Sequence, residues 1–282
     1  KWYPAWGEER ITKMVEDRND WCISRQRTWG VPLPIFYCKN CEKEYVTPES
    51  LDKIQNIVRE KGTNAWFEMS EKELMPDGAK CKECGHTEFK KETDIMDVWF
   101  DSGSTHESVL QERGLPEANL YLEGSDQYRG WFQSSLLTSI ATKDKAPYKE
   151  VVTHGYVVDE QGRKMSKSLG NGIDPMDMIN EFGADILRPW ALSSDYTSDV
   201  SISKGIIKQV SEVYRKIRNT CRFILGNIND LDVDNLTTYN QLLEIDKWAL
   251  IKLNNLIKVC TEAYDAYDFN EAYQAILCCS NE

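Results

Sequence analysis

Two Cys-x-x-Cys pairs constrain the fold of this chain more than any other sequence feature. Cys38 and Cys41 form the first pair, and Cys81 and Cys84 form the second, with 39 residues between the pairs. Four thiolates at this spacing predict a tetrahedral zinc site, and because all four positions are protein ligands the ion would be structural. The segment between the pairs must fold as a lobe of its own. A redox-active pair and buried thiols without a metal are the alternatives.

The composition places limits on the class of protein. Among 282 residues there are nine cysteines, an odd number, and no signal-peptide pattern, which argues against a secreted disulfide scaffold and predicts a reducing, cytoplasmic compartment. No run approaches the roughly 20 apolar residues that a bilayer requires, so we expect no membrane partner. The formal net charge of −12 argues against a uniformly basic surface but permits a local basic groove.

The pattern of apolar runs predicts an α/β protein. The length of 282 residues predicts about two domains of ordinary size. Short apolar runs that alternate with helices predict a parallel sheet. The predicted strands are Ile95–Phe100, Asn119–Leu122 and Val151–Val158. The predicted helices cover Glu8–Arg18, Ser50–Lys61, Trp131–Ala141 and Met176–Phe182, and beyond Ser203 the ranges 204–228, 241–264 and 269–279.

The predicted helix 204–228 has two distinct faces. On a helical wheel one sector forms an apolar stripe: Ile207, Val210, Val213, Ile217, Cys221, Ile224, Leu225 and Ile228. A separate sector about 80° wide contains five cations and no acidic residue: Lys204, Lys208, Arg215, Arg218 and Arg222. We call these five residues the basic ridge. A solvated basic face and a ridge that contacts phosphate are both open interpretations.

The segment Gly162–Asn171 has the composition of a mobile cationic loop. It contains the string K-M-S-K-S, in which Lys164 and Lys167 are three residues apart. Such a loop can close over a polyphosphate and neutralise charge as it develops. A surface loop rich in Lys and Ser is the alternative, but a given string of five residues rarely occurs by chance. The loop also follows a predicted strand, where α/β sheets place ligand-binding loops.

The K-M-S-K-S string is a signature of the class I aminoacyl-tRNA synthetases, and the chain resembles that family. Three other strings are similar to those of its isoleucyl members: S-R-Q-R-T-W-G at 24–30, D-V-W-F-D-S-G at 97–103 and L-E-G-S-D-Q-Y-R-G-W-F at 122–132. Valyl and leucyl members share the first string loosely and differ at the other two. The resemblance covers essentially the whole chain.

The resemblance implies the domain organisation. Residues 1–37 would lead into the catalytic domain, and 38–90 would form a zinc-binding insertion. Residues 91–200 would be the second half of a class I Rossmann-type catalytic domain, including the K-M-S-K-S loop. Residues 201–282 would begin an α-helical anticodon-binding bundle. The family's H-I-G-H string does not occur in these residues, nor does its editing insertion. We therefore expect half of the active site to be missing and this segment alone to be inactive.

The resemblance also implies roles for individual residues. Considered alone, Glu123 is typical of a surface turn, and Trp99 and Trp131 are typical core aromatics. In the family, the matching carboxylate holds the aminoacyl-adenylate and the matching tryptophans form walls of the isoleucine pocket. Lys167 and Lys164 would bind the triphosphate as the catalytic lysines. The remaining adenylate-site positions implied in this way are Gly124, Asp126, Gln127, His154, Gly155 and Val157.

The implied reaction has two steps without a protein nucleophile. The isoleucine carboxylate attacks the α-phosphate of Mg²⁺-ATP, and a terminal ribose hydroxyl of tRNA(Ile) then attacks the adenylate. The implied partners are tRNA(Ile), isoleucine and ATP, with structural Zn²⁺ as the metal and a monomeric parent enzyme. A zinc-stabilised tRNA-binding or scaffolding module without catalysis, and a valyl-type synthetase, are the alternatives.

Overall fold

The computed structural model describes residues 1–281, which form two compact units. The first unit contains Lys1, Ala5–Tyr121 and Asp126–Val151; the second contains Trp2–Pro4, Leu122–Ser125 and the chain from Val152 onward. In chain order the elements are β1 (Trp2–Tyr3), α1 (Trp6–Glu16), β2 (Ser24–Arg25), β3 (Phe36–Cys38), β4 (Glu44–Tyr45), α2 (Pro48–Lys61), α3 (Ala65–Glu68), α4 (Glu71–Leu74), β5 (Phe89–Lys91), β6 (Ile95–Met96), α5 (Val98–Gly103), a π-helix (His106–Gln111), β7 (Ala118–Gly124), a 3₁₀ turn (Ser125–Arg129), α6 (Trp131–Lys143), β8 (Tyr148–His154), β9 (Val157–Val158), α7 (Pro175–Phe182), α8 (Ala184–Leu192), β10 (Val200–Ser201), α9 (Lys204–Asn227), a 3₁₀ turn (Tyr239–Gln241), α10 (Glu244–Asp265) and α11 (Phe269–Asn281).

The cysteine-bracketed segment folds as the predicted separate lobe. Strand β3 lies between β4 and β5, antiparallel to both. Helix α2 begins at Pro48 because the side chains of Thr47 and Ser50 cap each other's backbone N–H groups. The lobe has its own core, which includes two of the predicted metal ligands, Cys38 and Cys81. The core residues are Phe36, Cys38, Ile54, Trp66, Leu74, Met75, Cys81 and Phe89.

The predicted strand Ile95–Phe100 is wrong over its second half. Only Ile95 and Met96 form a strand, which pairs antiparallel with β2. The Asp97 side chain accepts a hydrogen bond from the backbone N–H of Trp99, and this N-cap starts helix α5. An apolar run of this length does not by itself distinguish a strand from the first turn of a helix. The side-chain cap decides between them here.

The second predicted strand is confirmed as β7, and the third is divided into two. Strand β8 lies between β1 and β7 in a three-stranded sheet, and both β7 and β8 run from the first unit into the second. The chain leaves this sheet at Gly155, and β9 pairs in parallel with β10 instead. A Cβ atom at Gly155 would lie 2.2 Å from the Ser198 carbonyl oxygen, so only glycine permits this close approach.

The second unit contains the last four predicted helices, observed as α7, α9, α10 and α11. Asp174 caps α7 and Ser203 caps α9. Helix α10 begins at Glu244, three residues later than predicted, because Tyr239–Gln241 forms a separate 3₁₀ turn. The apolar stripe of α9 is buried only near its start: Ile207 has no exposed surface, whereas Leu225 is 65% exposed. Within the described residues, no helix combines the length and apolar character needed to cross a membrane.

Candidate functional site

The four cysteines of the two pairs lie together in the first unit. Their sulfur atoms all lie within 4.8 Å of one another. The Sγ atoms of Cys38 and Cys84 are 3.5 Å apart, as are those of Cys41 and Cys81. Tetrahedral ligation at about 2.3 Å per zinc–sulfur bond places sulfurs about 3.8 Å apart. The cluster therefore has the donor set and the spacing to bind a metal ion.

The two pairs form turns with the same backbone geometry. The carbonyl of Cys38 accepts the N–H of Glu42, and the carbonyl of Cys81 accepts the N–H of Gly85, both at 2.9 Å. Glu42 (φ 58°) and Gly85 (φ 73°) both have left-handed backbones. Each turn thus directs two sulfurs toward the same point. A glutamate rarely has a left-handed backbone. At Glu42 the geometry of the turn requires it.

Hydrogen bonds prepare one sulfur for metal binding. The backbone N–H of His86 and the side chain of Asn40 both donate to the Cys84 sulfur and lower its pKa to about 6. The cluster therefore holds a thiolate near neutral pH, which is the form of cysteine that binds metals. A divalent ion would displace the remaining thiol protons.

The first unit places the two predicted pocket tryptophans beside one glycine. A Cβ atom at Gly130 would lie 3.1 Å from the Trp99 ring and 2.6 Å from Oε1 of Gln127. The same Oε1 atom accepts the backbone N–H of Trp131 at 2.8 Å, and the Trp131 indole donates to the Ser102 carbonyl at 2.9 Å. The structure therefore brings Trp99, Gln127 and Trp131 together. Trp131 is half-buried and Trp99 is 41% exposed.

Sequence reasoning missed the support behind these aromatic rings. Tyr121, which is buried, stacks on Trp131 with ring centroids 4.0 Å apart and planes 2° from parallel. Asp97, only 4% exposed, accepts hydrogen bonds from Trp21 and Arg25. The acidic residue directly before an apolar run was the available signal for Asp97, since it is a typical helix N-cap.

A cavity of about 810 Å³ opens beside Trp99. It is lined by the 25–31 segment, by Phe67 of the cysteine lobe and by the start of α5. Asp101 also lines it, and burial together with the neighbouring Asp97 raises the pKa of Asp101. This partly buried carboxylate was not predicted to have a role.

The second unit contains Glu123 and Gly124, at the end of β7. Glu123 is exposed, and in the described residues its carboxylate has no hydrogen-bonding or ionic partner. It is therefore able to accept hydroxyl donors. Asp126, which directly follows this stretch, belongs to the first unit, where its carboxylate accepts a hydrogen bond from the Gln127 amide.

Three predicted adenylate-site residues lie in the second unit at the end of β8 and just after it: His154, Gly155 and Val157. His154 Nδ1 lies 2.7 Å from the Gly155 carbonyl oxygen. The backbone N–H of Gly155 donates to the Tyr196 carbonyl, and Val157 pairs with Val200. Residues 154–157 are thus held by backbone interactions with the segment 196–200.

The K-M-S-K-S loop is held at its base by the buried carboxylate of Asp159. This carboxylate accepts hydrogen bonds from the Asn171 amide, from the backbone and guanidinium of Arg163 and from the backbone of Gln161. These donors, Asn171 first, lower its pKa from the ordinary 3.8 to about 2. The charged anchor is complete above about pH 4 and is lost as the pH falls through about 2.

The two signature lysines lie beyond this anchor and are exposed. Lys164 lies 5.9 Å from the centre of the Tyr156 ring. Among residues 1–281 neither Lys164 nor Lys167 forms an ion pair with a carboxylate. Both ammonium groups are therefore available to an anionic ligand.

The basic ridge of α9 is partly neutralised by acids from outside its sector. Lys204 pairs with Glu181 at 2.6 Å, and Arg215 pairs with Glu212 at 2.8 Å. Lys208, Arg218 and Arg222 are exposed, and no carboxylate pairs with them in the part of the chain that the structure describes. The cationic surface is therefore reduced to three residues.

Comparisons with known proteins cover both ends of the chain. Residues 1–203 match the family described as tRNA synthetases class I (I, L, M and V), and residues 246–282 match the anticodon-binding domain of tRNA ligase. An isoleucine–tRNA ligase of Caldanaerobacter subterraneus is 61% identical over 98% of this chain, and one of Moorella thermoacetica is 57% identical over 98%. The chain spans about 30% of the length of these curated relatives.

Two solved structures share the fold. A leucyl-tRNA synthetase of Agrobacterium radiobacter K84, solved as a ternary complex with tRNA, aligns with a TM-score of 0.72 and 24% identity over 99% of this chain and 38% of its own. A methionyl-tRNA synthetase of Mycobacterium tuberculosis in complex with methionyl-adenylate aligns with a TM-score of 0.64 and 19% identity, over 99% of this chain and 46% of its own.

The Asp159 anchor predicts how the lysine loop responds to substitution. Asp159→Asn removes the charge that holds Arg163 and Asn171, so the loop should open more often. Because each lost hydrogen bond contributes on the order of a fivefold change in such an equilibrium, trypsin should cleave after Arg163, Lys164 and Lys167 about five times faster. Mass spectrometry of timed digests measures this rate.

Glu160→Gln is the matched control for the Asp159 substitution. It neutralises the adjacent carboxylate, which is exposed, and should leave cleavage at the wild-type rate. Equal cleavage rates for both variants would contradict the assignment of Asp159 as the anchor.

Proposed function

The chain belongs to the class I tRNA synthetases of the I, L, M and V group, and on that premise we propose that it serves the ligation of isoleucine to tRNA(Ile). The observation that carries the proposal is the similarity to isoleucine–tRNA ligases, which extends over 95–98% of the chain. The arrangement of Trp99 and Trp131 beside Gly130 supports the choice of a branched aliphatic substrate, since flat aromatic walls suit such a side chain.

The proposed amino-acid site lies in the first unit. Trp99 and Trp131 flank the isoleucine side chain, and Gly130 keeps the space beside them free of a side chain. Gln127 is fixed by its bond to the Trp131 backbone, and it fixes the Asp126 carboxylate in turn. These two polar groups would contact the amino-acid end and the ribose of the adenylate.

The proposed nucleotide site uses residues of the second unit. The free carboxylate of Glu123, with Gly124 behind it, accepts the two ribose hydroxyls of the adenylate. His154, Gly155 and Val157 supply the strand end against which adenine packs. Lys164 and Lys167 bind the triphosphate, and Mg²⁺ enters with ATP as part of the substrate.

The proposed reaction depends on positioning and charge neutralisation. The isoleucine carboxylate attacks the α-phosphate of ATP, and pyrophosphate leaves with the electrons of the broken phosphoanhydride bond. The terminal ribose hydroxyl of tRNA(Ile) then attacks the adenylate carbonyl, and AMP leaves. Negative charge grows on the departing pyrophosphate in the first step, and the unpaired ammonium of Lys167 is suited to stabilise it.

The cysteine cluster holds a structural zinc ion in this proposal. Cys38, Cys41, Cys81 and Cys84 supply four ligands and leave no position for a substrate, so the ion has no part in the reaction. Because Cys38 and Cys81 are also core residues, the metal and the packing stabilise the lobe together.

The main test of the proposed function is isoleucine-dependent exchange of pyrophosphate into ATP by the full-length protein. Lys167→Ala should lower kcat for exchange about 100-fold, because it removes a charge that stabilises the transition state, and should leave the KM for isoleucine within about twofold. Lys145→Ala, which breaks an exposed ion pair with Glu117, is the control. Exchange that depends on valine instead would support the valyl alternative, and tRNA binding without exchange would support the non-catalytic module.

Metal analysis tests the zinc site. The wild-type protein should contain about one zinc per chain, and Cys38→Ser should lose it and unfold at a lower temperature, because metal binding and folding of such a lobe are coupled. Atomic emission and thermal melting measure the two effects. Cys22→Ser, an exposed cysteine outside the cluster, should change neither. Full zinc content in Cys38→Ser would contradict the assignment.

The three unpaired ridge cations face tRNA in this proposal, with Lys204 and Arg215 at the same surface but held by acids. Lys208→Glu combined with Arg218→Glu should weaken binding of tRNA(Ile) and make the salt dependence of log Kd shallower by about two, since two phosphate contacts are lost. Lys216→Glu lies on the same helix outside the ridge and is the control. Unchanged affinity and salt slope in the double variant would exclude the ridge from the interface.

A further inference from the structure

Asp97 is a buried carboxylate that four groups of the first unit hold in place. Its Oδ2 atom accepts the indole N–H of Trp21 at 3.0 Å and a guanidinium N–H of Arg25 at 2.7 Å. Its Oδ1 atom accepts the backbone N–H of Trp99 at 3.2 Å, and its own N–H donates to the carbonyl of Ile23 at 2.7 Å. Only 4% of the residue is exposed.

This network adjoins Trp99, and two of its members, Arg25 and Asp97, line the same cavity as that residue. Asp97 is the N-cap of α5, and Trp99 is the second residue of that helix. Both carboxylate oxygens accept hydrogen bonds from the protein, and with 4% of the residue exposed the side chain has little surface to offer a substrate. Its contribution must therefore be indirect, through the position of the helix start.

The donors to Asp97 are themselves fixed. Arg25 also donates to the carbonyls of Cys22 and Ser24, at 2.6 and 2.7 Å. The Trp21 ring packs against Phe100 of α5, with centroids 5.7 Å apart. The segment 21–25 and the first turn of α5 are thus joined through one buried charge.

The packing around Trp99 shows why such support matters. Trp99 is 41% exposed and borders the 810 Å³ cavity, and the Gly130 backbone lies against one part of its ring. A side chain covered on one side only is not fixed by packing alone. Its position must be set by the backbone from which it projects, and a positioning error of about 1 Å can cost about 100-fold in rate.

We propose that Trp21, Arg25 and Asp97 form a positioning network that sets the place of Trp99 and thereby the affinity of the enzyme for isoleucine. The inference rests on the proposed function, in which Trp99 is a wall of the isoleucine pocket. It gives these three residues an indirect role in isoleucine binding, exerted through the position of Trp99.

The test uses the full-length protein and separates the KM for isoleucine from the KM for ATP in pyrophosphate exchange. Asp97→Asn keeps the size of the side chain and an oxygen for the Trp99 N–H, but it leaves Arg25 without its ionic partner. It should raise the KM for isoleucine about tenfold and leave the KM for ATP within about twofold, because one substrate pocket is altered selectively. Trp21→Phe removes one donor and should shift the same KM in the same direction by a smaller factor. If Asp97→Asn does not fold, Trp21→Phe alone decides.

Glu117→Gln, which neutralises a carboxylate of an exposed ion pair in the same unit, is the control. Variants that match this control in both KM values overturn the inference while wild-type exchange upholds the proposed function. Equal increases in both KM values also overturn it, because they indicate a general structural role. Wild-type protein without isoleucine-dependent exchange overturns the proposed function and this inference with it.

Discussion

A carboxylate removed from water is stable only when donors surround it, and this requirement organises the candidate residues of each unit. In the first unit, Asp97 gathers an indole, a guanidinium and a helix N-terminus around one charge. In the second unit, Asp159 gathers an amide, a guanidinium and the backbone of the loop that it precedes. Neither aspartate is available to a ligand. Each one fixes the base of the segment that carries the exposed groups.

The cysteine lobe meets a similar requirement in another way. Two of its sulfurs are buried among aromatic and aliphatic side chains, and the other two are half-buried or exposed. A lobe this small has little apolar surface to bury, and the proposed metal ion would compensate by joining two turns that are distant in sequence. The backbone N–H of His86 favours the thiolate of Cys84, so the turn that shapes this part of the lobe also prepares one of its ligands.

Much of this structure was predictable from the sequence where a feature depends on near neighbours. The cysteine pairs, the helices that begin near residues 176 and 204 and the lysine loop all follow from residues a few positions apart. Two differences from the prediction arose where distant contacts decide the outcome. The Val151–Val158 run is divided because Gly155 meets Ser198, 43 residues later. Lys204 is neutralised by Glu181, which lies on α7 and therefore does not appear on a helical wheel of α9. Sequence spacing contains no information about either contact.

Arg163 and the two loop lysines differ in what their charges do: Arg163 holds the loop, whereas the lysine charges are available to a ligand. Arg163 has a rigid planar group and is paired with Asp159, so it is suited to fix the loop. Lys164 and Lys167 have compact charges on flexible stems and no ionic partner within residues 1–281. A cation already paired with a carboxylate must lose that partner before it can stabilise a phosphate, and part of the interaction energy is lost in the exchange. Lysines held near the site but left unpaired avoid this cost, because the whole of their charge remains for the transition state.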